Sequence, residues 1–419
     1  MRAIAVLCFA IVSLQSAQAQ QTVTSGQTTL AFHDVDVFDG TRMNRHVNVI
    51  VEAGMIRHVG ASVPIPPQST VIEGDGYTLL PGLIDSHTHL GEKLVPEFLR
   101  DALDFGVTTE LEMGGSAASL RVRRDSCRDC ANFLTAGTVV TVPGGHPTEM
   151  PATPQPTLSP TDDVQAFVDK RILEGSDYIK LIDEHQLPTL STSQIENIVV
   201  AAHRRNKLAI AHIGSQKEAM ECIEAGVDAL AHVFADSQPA ADFGRRVAEH
   251  HAFVITTLTV FESLTAGSEP RWWQKEEGLS ARLTPTMRNM LGIRLPKAAG
   301  LHLAFAEQAV ARLHEAGVSI LAGTDSPVPG IAHGVSLHRE LELLVESGLS
   351  PSEALTATTF TPAREFGLHD RGRVAEGFRA DLLLVKGDPT SDIRALHGIE
   401  GVWLGGERHS ASPEGQTEH

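Results

Sequence analysis

The stretch LLPGLIDSHTHL (residues 79–90) closes a run of apolar residues with two histidines in an H-x-H pattern. Four comparable stretches follow it along the chain: SDYIKLI (176–182), LAIAHIG (208–214), DALAHVF (228–234) and SILAGTDSP (319–327). Each has the length and composition of a buried strand, and each carries a potential metal ligand in the strand or directly after it. The candidate ligands are His87, His89, Lys180, His212, His232 and Asp325.

The pattern around these stretches predicts an α/β fold, specifically a (β/α)8 TIM barrel. From Leu83 to about residue 366, apolar strands alternate with helical segments, which is typical of βαβ units and a parallel sheet. We place the strands near residues 83–87, 107–112, 134–140, 178–181, 208–212, 229–232, 253–257 and 319–324. Because catalytic residues of such barrels lie at the C-terminal ends of the strands, we expect the candidate ligands to meet there.

Short alternating segments at the two ends of the chain predict a second, smaller domain. We expect residues 27–81 and 367–410 to form the two parts of one β-sandwich. The barrel of residues 82–366 is then inserted between them.

The connections between strands carry local signals of their own. Three S-x-x-E sequences predict helix N-caps, at Ser193, Ser215 and Ser350. The segment 259–300, which contains Trp272 and Trp273, is long and non-periodic. It predicts either a lid over the substrate or a surface excursion whose tryptophans pack on the barrel.

The first residues have the features of a secretory signal. Arg2 precedes the apolar run AIAVLCFAIVSL (3–14), and Ala17 and Ala19 stand in A-x-A positions. We predict a signal peptide at residues 1–19, cleaved after Ala19, and an exported protein that is periplasmic or secreted. A retained membrane anchor is the alternative, but the run is too short to span a bilayer.

Composition and charge restrict the classes of partner. Apolar residues make up 42% of the 419-residue chain, and the net charge is −18, so the balance of charge argues against nucleic acid. We expect a small-molecule substrate and no membrane association after signal cleavage, and homo-oligomer formation stays open.

The cysteines give a weaker signal. Cys127 and Cys130 have C-x-x-C spacing, which fits a small disulfide in an oxidising compartment or two unlinked thiols on a surface helix. Cys222 lies in an amphipathic helical pattern and is expected to be buried.

The candidate ligands have a chemical logic. Residues two apart in a strand point to the same face, so His87 and His89 can both reach into the mouth of the barrel, and Asp85 is placed to orient an imidazole. Asp325 can bind a cation and accept the proton of metal-bound water.

Lys180 lies in an apolar strand, where a free ammonium is costly. Burial would lower its pKa, and a neutral lysine reacts with carbon dioxide to give a carbamate that can bridge two metals. The alternative is a lysine paired with Asp183 or Glu184.

These stretches together resemble the amidohydrolase superfamily of metal-dependent hydrolases. The resemblance covers nearly the whole chain after the signal and includes GVTTELEMGG (106–115), SLHRELELLVESGLSPSEALTATTFTPA (336–363) and RGRVAEGFRADLLLVKGDP (371–389). It implies two Zn2+ ions per chain, with Mn2+ or Co2+ as alternatives. By this resemblance His87, His89 and Asp325 would hold one metal, and His212 and His232 the other. N6-carboxylated Lys180 and a hydroxide would bridge the two metals, and Asp325 would shuttle the proton.

Within that superfamily the arrangement is similar to binuclear prolidase-like and zinc carboxypeptidase-like members that act on dipeptides and N-acyl amino acids. The leading hypothesis is therefore an enzyme that hydrolyses a carbon–nitrogen bond of a small molecule, with peptide bonds at most part of its range. His146 in VPGGHPT (142–148) matches a third-strand histidine that polarises the substrate carbonyl in similar enzymes, although an ordinary loop histidine fits there too. The chain departs from these relatives after Lys180, where IDEHQLPTLST (182–192) replaces a Ser-Gly-Gly stretch, and it lacks a tyrosine after His212.

Three other functions stay open. An ester or lactone hydrolase would use the same centre, and a mononuclear deaminase would need no lysine at position 180. A non-catalytic scaffold would be expected to have lost ligands, whereas this chain has all six.

Overall fold

The computed structural model describes residues 29–91, 93–150, 155–267 and 272–410. The signal segment predicted at residues 1–19 lies outside them, as do the first residues of the 27–81 segment and the tail from residue 411. Within the described ranges, no helix has the length and apolar character needed to cross a membrane.

Strands from the two ends of the chain share one eight-stranded sheet. They are β1 Leu30–Phe38, β2 Met43–Glu52, β3 Met55–Gly60, β4 Thr70–Glu73, β5 Tyr77–Pro81, β14 Leu382–Lys386, β15 Ile399–Leu404 and β16 Glu407–Arg408. Their order is β16-β15-β14-β5-β1-β2-β3, and β4 pairs with β1. The antiparallel pair of β5 and β14 joins strands from both chain ends into one continuous sheet.

The sheet has a hydrophobic core of its own. Phe32 of β1 and Trp403 of β15 are both buried, and their rings meet edge to face with centroids 5.0 Å apart. The first and last parts of the chain are therefore held together by aromatic packing as well as by backbone pairing.

Eight parallel strands, one near each predicted position, follow in the middle of the chain. They are β6 Leu83–Thr88, β7 Val107–Glu112, β8 Asn132–Thr135, β9 Ile179–Asp183, β10 Ala209–Ile213, β11 Ala229–Ala231, β12 Phe253–Ile255 and β13 Ile320–Leu321. Strands β6, β7 and β8 pair in that order in a three-stranded sheet, and strands β9 through β13 pair in order in a five-stranded sheet. Isolated parallel bridges connect Val140 with Leu181, and Thr88 with Ser326. The last strand is shorter than predicted, because the backbone after Leu321 binds partly to the Asp85 side chain.

Both faces of these strands are buried, because successive residues enter different hydrophobic clusters. One cluster contains Ile84, Tyr178, Ile210, Phe253 and Leu321. The residue next to each of these in sequence belongs to the other cluster, which also contains the buried faces of the helices. These neighbours are Leu83, Ile179, Ala209, Val254 and Ile320. This double burial explains why the strands read as continuous apolar runs rather than as alternating ones.

Thirteen helices connect the described strands. They are α1 Val95–Asp104, α2 Ala117–Asp125, α3 Val164–Leu173, α4 Thr192–His203, α5 Gln216–Glu224, α6 Phe243–Glu249, α7 Leu258–Ala266, α8 Glu277–Ser280, α9 Pro285–Gly292, α10 Leu303–Glu315, α11 Val335–Glu346, α12 Pro351–Ala357 and α13 Phe360–Glu365, with 3-10 turns at Trp272–Lys275 and Ile393–His397. Ser215 and Ser350 cap α5 and α12, as predicted. The prediction at Ser193 is wrong, because Ser191 caps α4 and Gln194 supplies the reciprocal bond of the capping box.

The segment 259–300 is largely helical where it is described. Trp272 and Trp273 are partly buried against the main hydrophobic cluster. The two tryptophans therefore pack on the body of the protein, as the surface-excursion alternative predicts.

The cysteines follow one of the two alternatives. Cys127 and Cys130 form a disulfide, and Cys130 packs against the start of α1 through a contact of its sulfur with the Pro96 carbonyl. Cys222 is free and buried within α5, as expected.

Candidate metal centre

Five of the six candidate ligands lie near or just after the C-terminal ends of their parallel strands. Lys180 is the second residue of its strand and pairs in register with Ile210, two residues before His212. His87 lies in β6, Lys180 in β9 and His212 in β10. The other three, His89, His232 and Asp325, lie shortly after β6, β11 and β13. Neighbouring parallel strands present their C-terminal ends at one edge, so residues far apart in sequence meet there.

His87, His89 and Asp325 form the first group of candidate ligands. Asp325 Oδ1 lies 3.2 Å from His87 Nε2 and 3.0 Å from His89 Nε2. The backbone amide of Asp325 also donates a hydrogen bond to the His87 carbonyl at 2.7 Å. Main chain and side chain therefore fix this group together.

His212 and His232 form the second group. His232 Nε2 lies 3.0 Å from His212 Nδ1, while Nδ1 of His232 lies 2.8 Å from the hydroxyl of Thr257. The two groups adjoin, because the rings of His87 and His232 are 4.6 Å apart. Ligand atoms of His87, His232 and Asp325 all lie within 4.8 Å of one another.

Lys180 is buried beside both groups, with 2% of its surface exposed. Burial lowers the pKa of Lys180 to about 7, although the charges of Asp325 and Glu112 oppose the shift. The described residues show no ion pair of Lys180 with Asp183 or Glu184, whose carboxylates contact nearby histidines instead. Burial thus favours the neutral amine, which is the form that reacts with carbon dioxide.

Burial also keeps most of the imidazoles neutral. It lowers the pKa of His87 to about 3, with a contribution from the Lys180 charge, and holds the pKa of His212 and His232 well below the usual value. Burial opposes ionisation of Asp325, but its contacts with His87 hold the pKa of that carboxyl well below its ordinary value. Neutral imidazoles and an ionised carboxylate are the forms that bind divalent metals, so the donor set fits a metal centre.

The role predicted for Asp85 is wrong. Its carboxylate accepts hydrogen bonds from the backbone amides of His87 and Thr324 and from the Thr324 hydroxyl, at 3.2, 3.0 and 2.7 Å. The imidazole Nδ1 of His87 has no partner among the described residues. Asp85 instead holds the backbone of β6 against the segment that leads to Asp325.

His146 lies next to the second group. Its ring stacks on that of His212 with centroids 5.1 Å apart, and its Nδ1 contacts Glu149 at 2.7 Å. The side chain is thus at the edge of the centre.

Two residues near the centre were missed in the sequence. Glu112 ends β7, accepts hydrogen bonds from the Thr135 hydroxyl and the Gly114 amide, and has its pKa raised to about 7 by burial. Its place at the end of an apolar strand is the same signal that marked the ligands. Thr257, the partner of His232, also ends a predicted strand, but a threonine there is not a residue type that marks a metal ligand.

The profile of the Amidohydrolase family matches residues 78–408, a range that contains every candidate ligand and all eight parallel strands. This chain belongs to the amidohydrolase family. Membership supports a hydrolase that acts on carbon–nitrogen bonds, in a family that is generally metal-dependent.

Individual relatives are distant but extend over most of this amidohydrolase. Ochratoxinase from Aspergillus niger is 23% identical over 426 aligned residues, which cover 87% of this chain and 82% of ochratoxinase. The structure of a Xaa-Pro dipeptidase with methionine in its active site matches with a TM-score of 0.74 and 22% identity, over 91% of this chain and 99% of the other. A putative prolidase from Bifidobacterium longum matches with a TM-score of 0.73 and 24% identity, over 91% and 94% of the two chains. These structural likenesses show a shared fold.

The pKa of Lys180 generates a test. In the metal-free protein this pKa is about 7, against 10.5 in the unfolded chain, so the unfolded state binds the extra proton between these values. The free energy of unfolding should therefore rise with pH across this window, by up to about 1.4 kcal/mol per pH unit. Urea unfolding in carbon-dioxide-free buffer with chelator should show this slope, and Lys180→Met should remove it. Lys386→Met, at an exposed lysine, is the control. Parallel curves for wild type and Lys180→Met would contradict the burial argument.

Proposed function

We propose that this amidohydrolase is an exported, binuclear metal-dependent enzyme that cleaves an amide bond of a small molecule such as a dipeptide or an N-acyl amino acid. Its metals would be two zinc ions, with Mn2+ or Co2+ as alternatives. The ligands would be His87, His89, carboxylated Lys180, His212, His232 and Asp325. We also propose that the eight strands close into a (β/α)8 barrel, which the bridges Val140–Leu181 and Thr88–Ser326 support.

The burial of Lys180 beside two groups of ligands carries the proposal. Its charge acts on His87 in one group and on His212 in the other, so it lies close to both. A mononuclear site needs no lysine at this place. A carbamate on Lys180 would supply the bridging anion that a pair of cations requires.

The residues of the chain would divide the chemistry among them. When two divalent cations are bound, the centre supplies a nucleophile from water at neutral pH and a Lewis acid for the scissile carbonyl. Asp325, ionised and 3.0 Å from His89, would take the proton from the attacking water and pass it to the leaving nitrogen. His146, beside His212, would donate a hydrogen bond to the carbonyl oxygen.

The relatives support an amide rather than an ester as substrate. A Xaa-Pro dipeptidase and a putative prolidase share this fold over more than nine tenths of this chain. Because the same nucleophile attacks esters and lactones, the choice among these bonds depends on the loops around the centre and has to be measured.

Zinc-loaded mature protein should hydrolyse members of a panel of dipeptides and N-acyl amino acids faster than matched esters and lactones. The amide and ester of each pair should share the same acyl group, so that kcat/KM compares only the bond that is broken. Faster turnover of the esters across the panel would replace the amide proposal with an esterase or lactonase.

Lys180→Ala should reduce the bound zinc from two ions per chain to one or none, because alanine supplies no bridging anion. The value of kcat/KM should fall by at least about 100-fold, because losing a residue that only supports a metal ligand already costs up to about that much. Zinc content by elemental analysis and kcat/KM check this, with Lys386→Ala as the matched surface control. Partial recovery of Lys180→Ala by short carboxylic acids would support a substituted bridge. A wild-type enzyme that is fully active with one metal would contradict the binuclear centre.

The N-terminal segment predicts export. Mass spectrometry of the protein from its native host should find Gln20 at the mature N-terminus, because Ala17 and Ala19 form the cleavage signal. Ala19→Tyr should block this cleavage. Intact Met1 in a soluble cytoplasmic fraction would refute export without bearing on the metal centre.

A further inference from the structure

Glu340 lies in α11, outside the two groups of proposed ligands, and its carboxylate is fully buried. This carboxylate binds residues on both sides of Thr257, whose side chain contacts His232. Its Oε1 accepts hydrogen bonds from the Thr256 hydroxyl at 2.5 Å and from the Leu258 amide at 2.9 Å. Its Oε2 accepts one from the Thr259 amide at 2.8 Å. Three donors, one from the loop after β12 and two from the first turn of α7, therefore converge on one carboxylate.

Thr257, which these donors flank, has an unusual backbone. Its φ of 50° and ψ of 44° place it in the left-handed region, which a β-branched residue rarely adopts. Such a conformation persists only when surrounding contacts hold it. The bonds of Glu340 to Thr256, Leu258 and Thr259 are contacts of this kind.

The side chain of Thr257 reaches the metal centre. Its hydroxyl lies 2.8 Å from Nδ1 of His232, on the side of the ring opposite the nitrogen that faces His212. A histidine that binds a metal through Nε2 carries its proton on Nδ1 and donates it to a neighbouring acceptor. The position of the Thr257 hydroxyl thus determines both the tautomer and the orientation of His232.

The first turn of α7 also supports the other ligand group. The hydroxyl of Thr259 donates a hydrogen bond to the backbone carbonyl of Thr324 at 3.2 Å. Thr324 directly precedes Asp325, so the segment held by Glu340 contacts the supports of both groups.

We propose that Glu340 is a positioning residue of the metal centre: its carboxylate holds the left-handed turn at Thr257 and thereby fixes the hydroxyl that orients His232. The inference rests on the proposed function, since it takes His232 to be a metal ligand. Glu340 lies outside the proposed ligand set, and its described hydrogen bonds go to Thr256, Leu258 and Thr259. The competing explanation is that Glu340 only caps the first turn of α7, where backbone amides lack partners.

Three variants separate these explanations. Glu340→Gln keeps the shape of the side chain but turns one acceptor into a donor, so at least one of the three bonds is lost. Thr257→Val keeps the β-branched shape and removes only the acceptor for His232. Glu353→Gln is the control, because Glu353 completes the capping box of α12 with Ser350 at 2.8 Å and has no contact with the centre.

The measurement is the zinc affinity of each full-length, metal-free protein by competition with a chelator, together with its melting temperature. Glu340→Gln and Thr257→Val should each weaken zinc binding 10–100-fold, the usual effect of losing a support of a ligand. The double variant should be no weaker than the more affected single variant, because both changes act through one contact. Glu353→Gln should keep wild-type affinity.

Wild-type zinc affinity in Glu340→Gln, with a lower melting temperature alone, would overturn the proposal, and so would effects that multiply in the double variant. If Glu340→Gln does not fold, Glu340→Asp takes its place, since it keeps the charge and retracts the carboxylate by one methylene. Failure of both to fold would make Glu340 a general determinant of stability and would also overturn the proposal. A wild-type protein that binds none of zinc, manganese and cobalt would instead refute the proposed function.

Discussion

The candidate centre depends on the close approach of the first parallel strand to the segment that follows the last. The amide of Asp325 donates to the His87 carbonyl, and the Asp85 carboxylate binds the Thr324 amide and hydroxyl. Gly323 permits this approach, because an added Cβ would lie 2.8 Å from the Cβ of His87 and 2.9 Å from its amide nitrogen. Any larger residue at position 323 would push the segment before Asp325 away from β6, and the candidate ligands of the first group would move apart with these segments.

The sheet built from the chain ends anchors the strand that carries the first two ligands. Strand β5 runs into β6 with Gly82 alone between them, and β14 pairs with β5 along its length. An added Cβ at Gly82 would lie 2.2 Å from the Thr108 hydroxyl, so the junction also packs closely against β7. The terminal sheet thus helps to position the candidate centre although none of the candidate ligands lies in it.

The centre concentrates ionisable groups in a buried place, where each would be costly if charged and unpaired. The protein meets this cost in different ways at each position. Asp325 is ionised against two histidines, burial lowers the pKa of Lys180 toward neutrality, and hydrogen-bond donors surround the buried carboxylate of Glu340. A metal pair would add the positive charge that such a set of donors attracts.

The sequence by itself determined the strands and the chemistry-bearing side chains, because apolar runs and the residues at their ends are local signals. His87, Lys180 and His232 could be singled out in this way, and so could the approximate place of every parallel strand. Glu112 carried the same signal and was overlooked. The partners of these side chains were decided by tertiary structure alone. Asp85 binds the backbone amide and the hydroxyl of Thr324 rather than an imidazole. Thr257 and Glu340 act from loops and helices far apart in sequence, where only the packed fold brings donor and acceptor together.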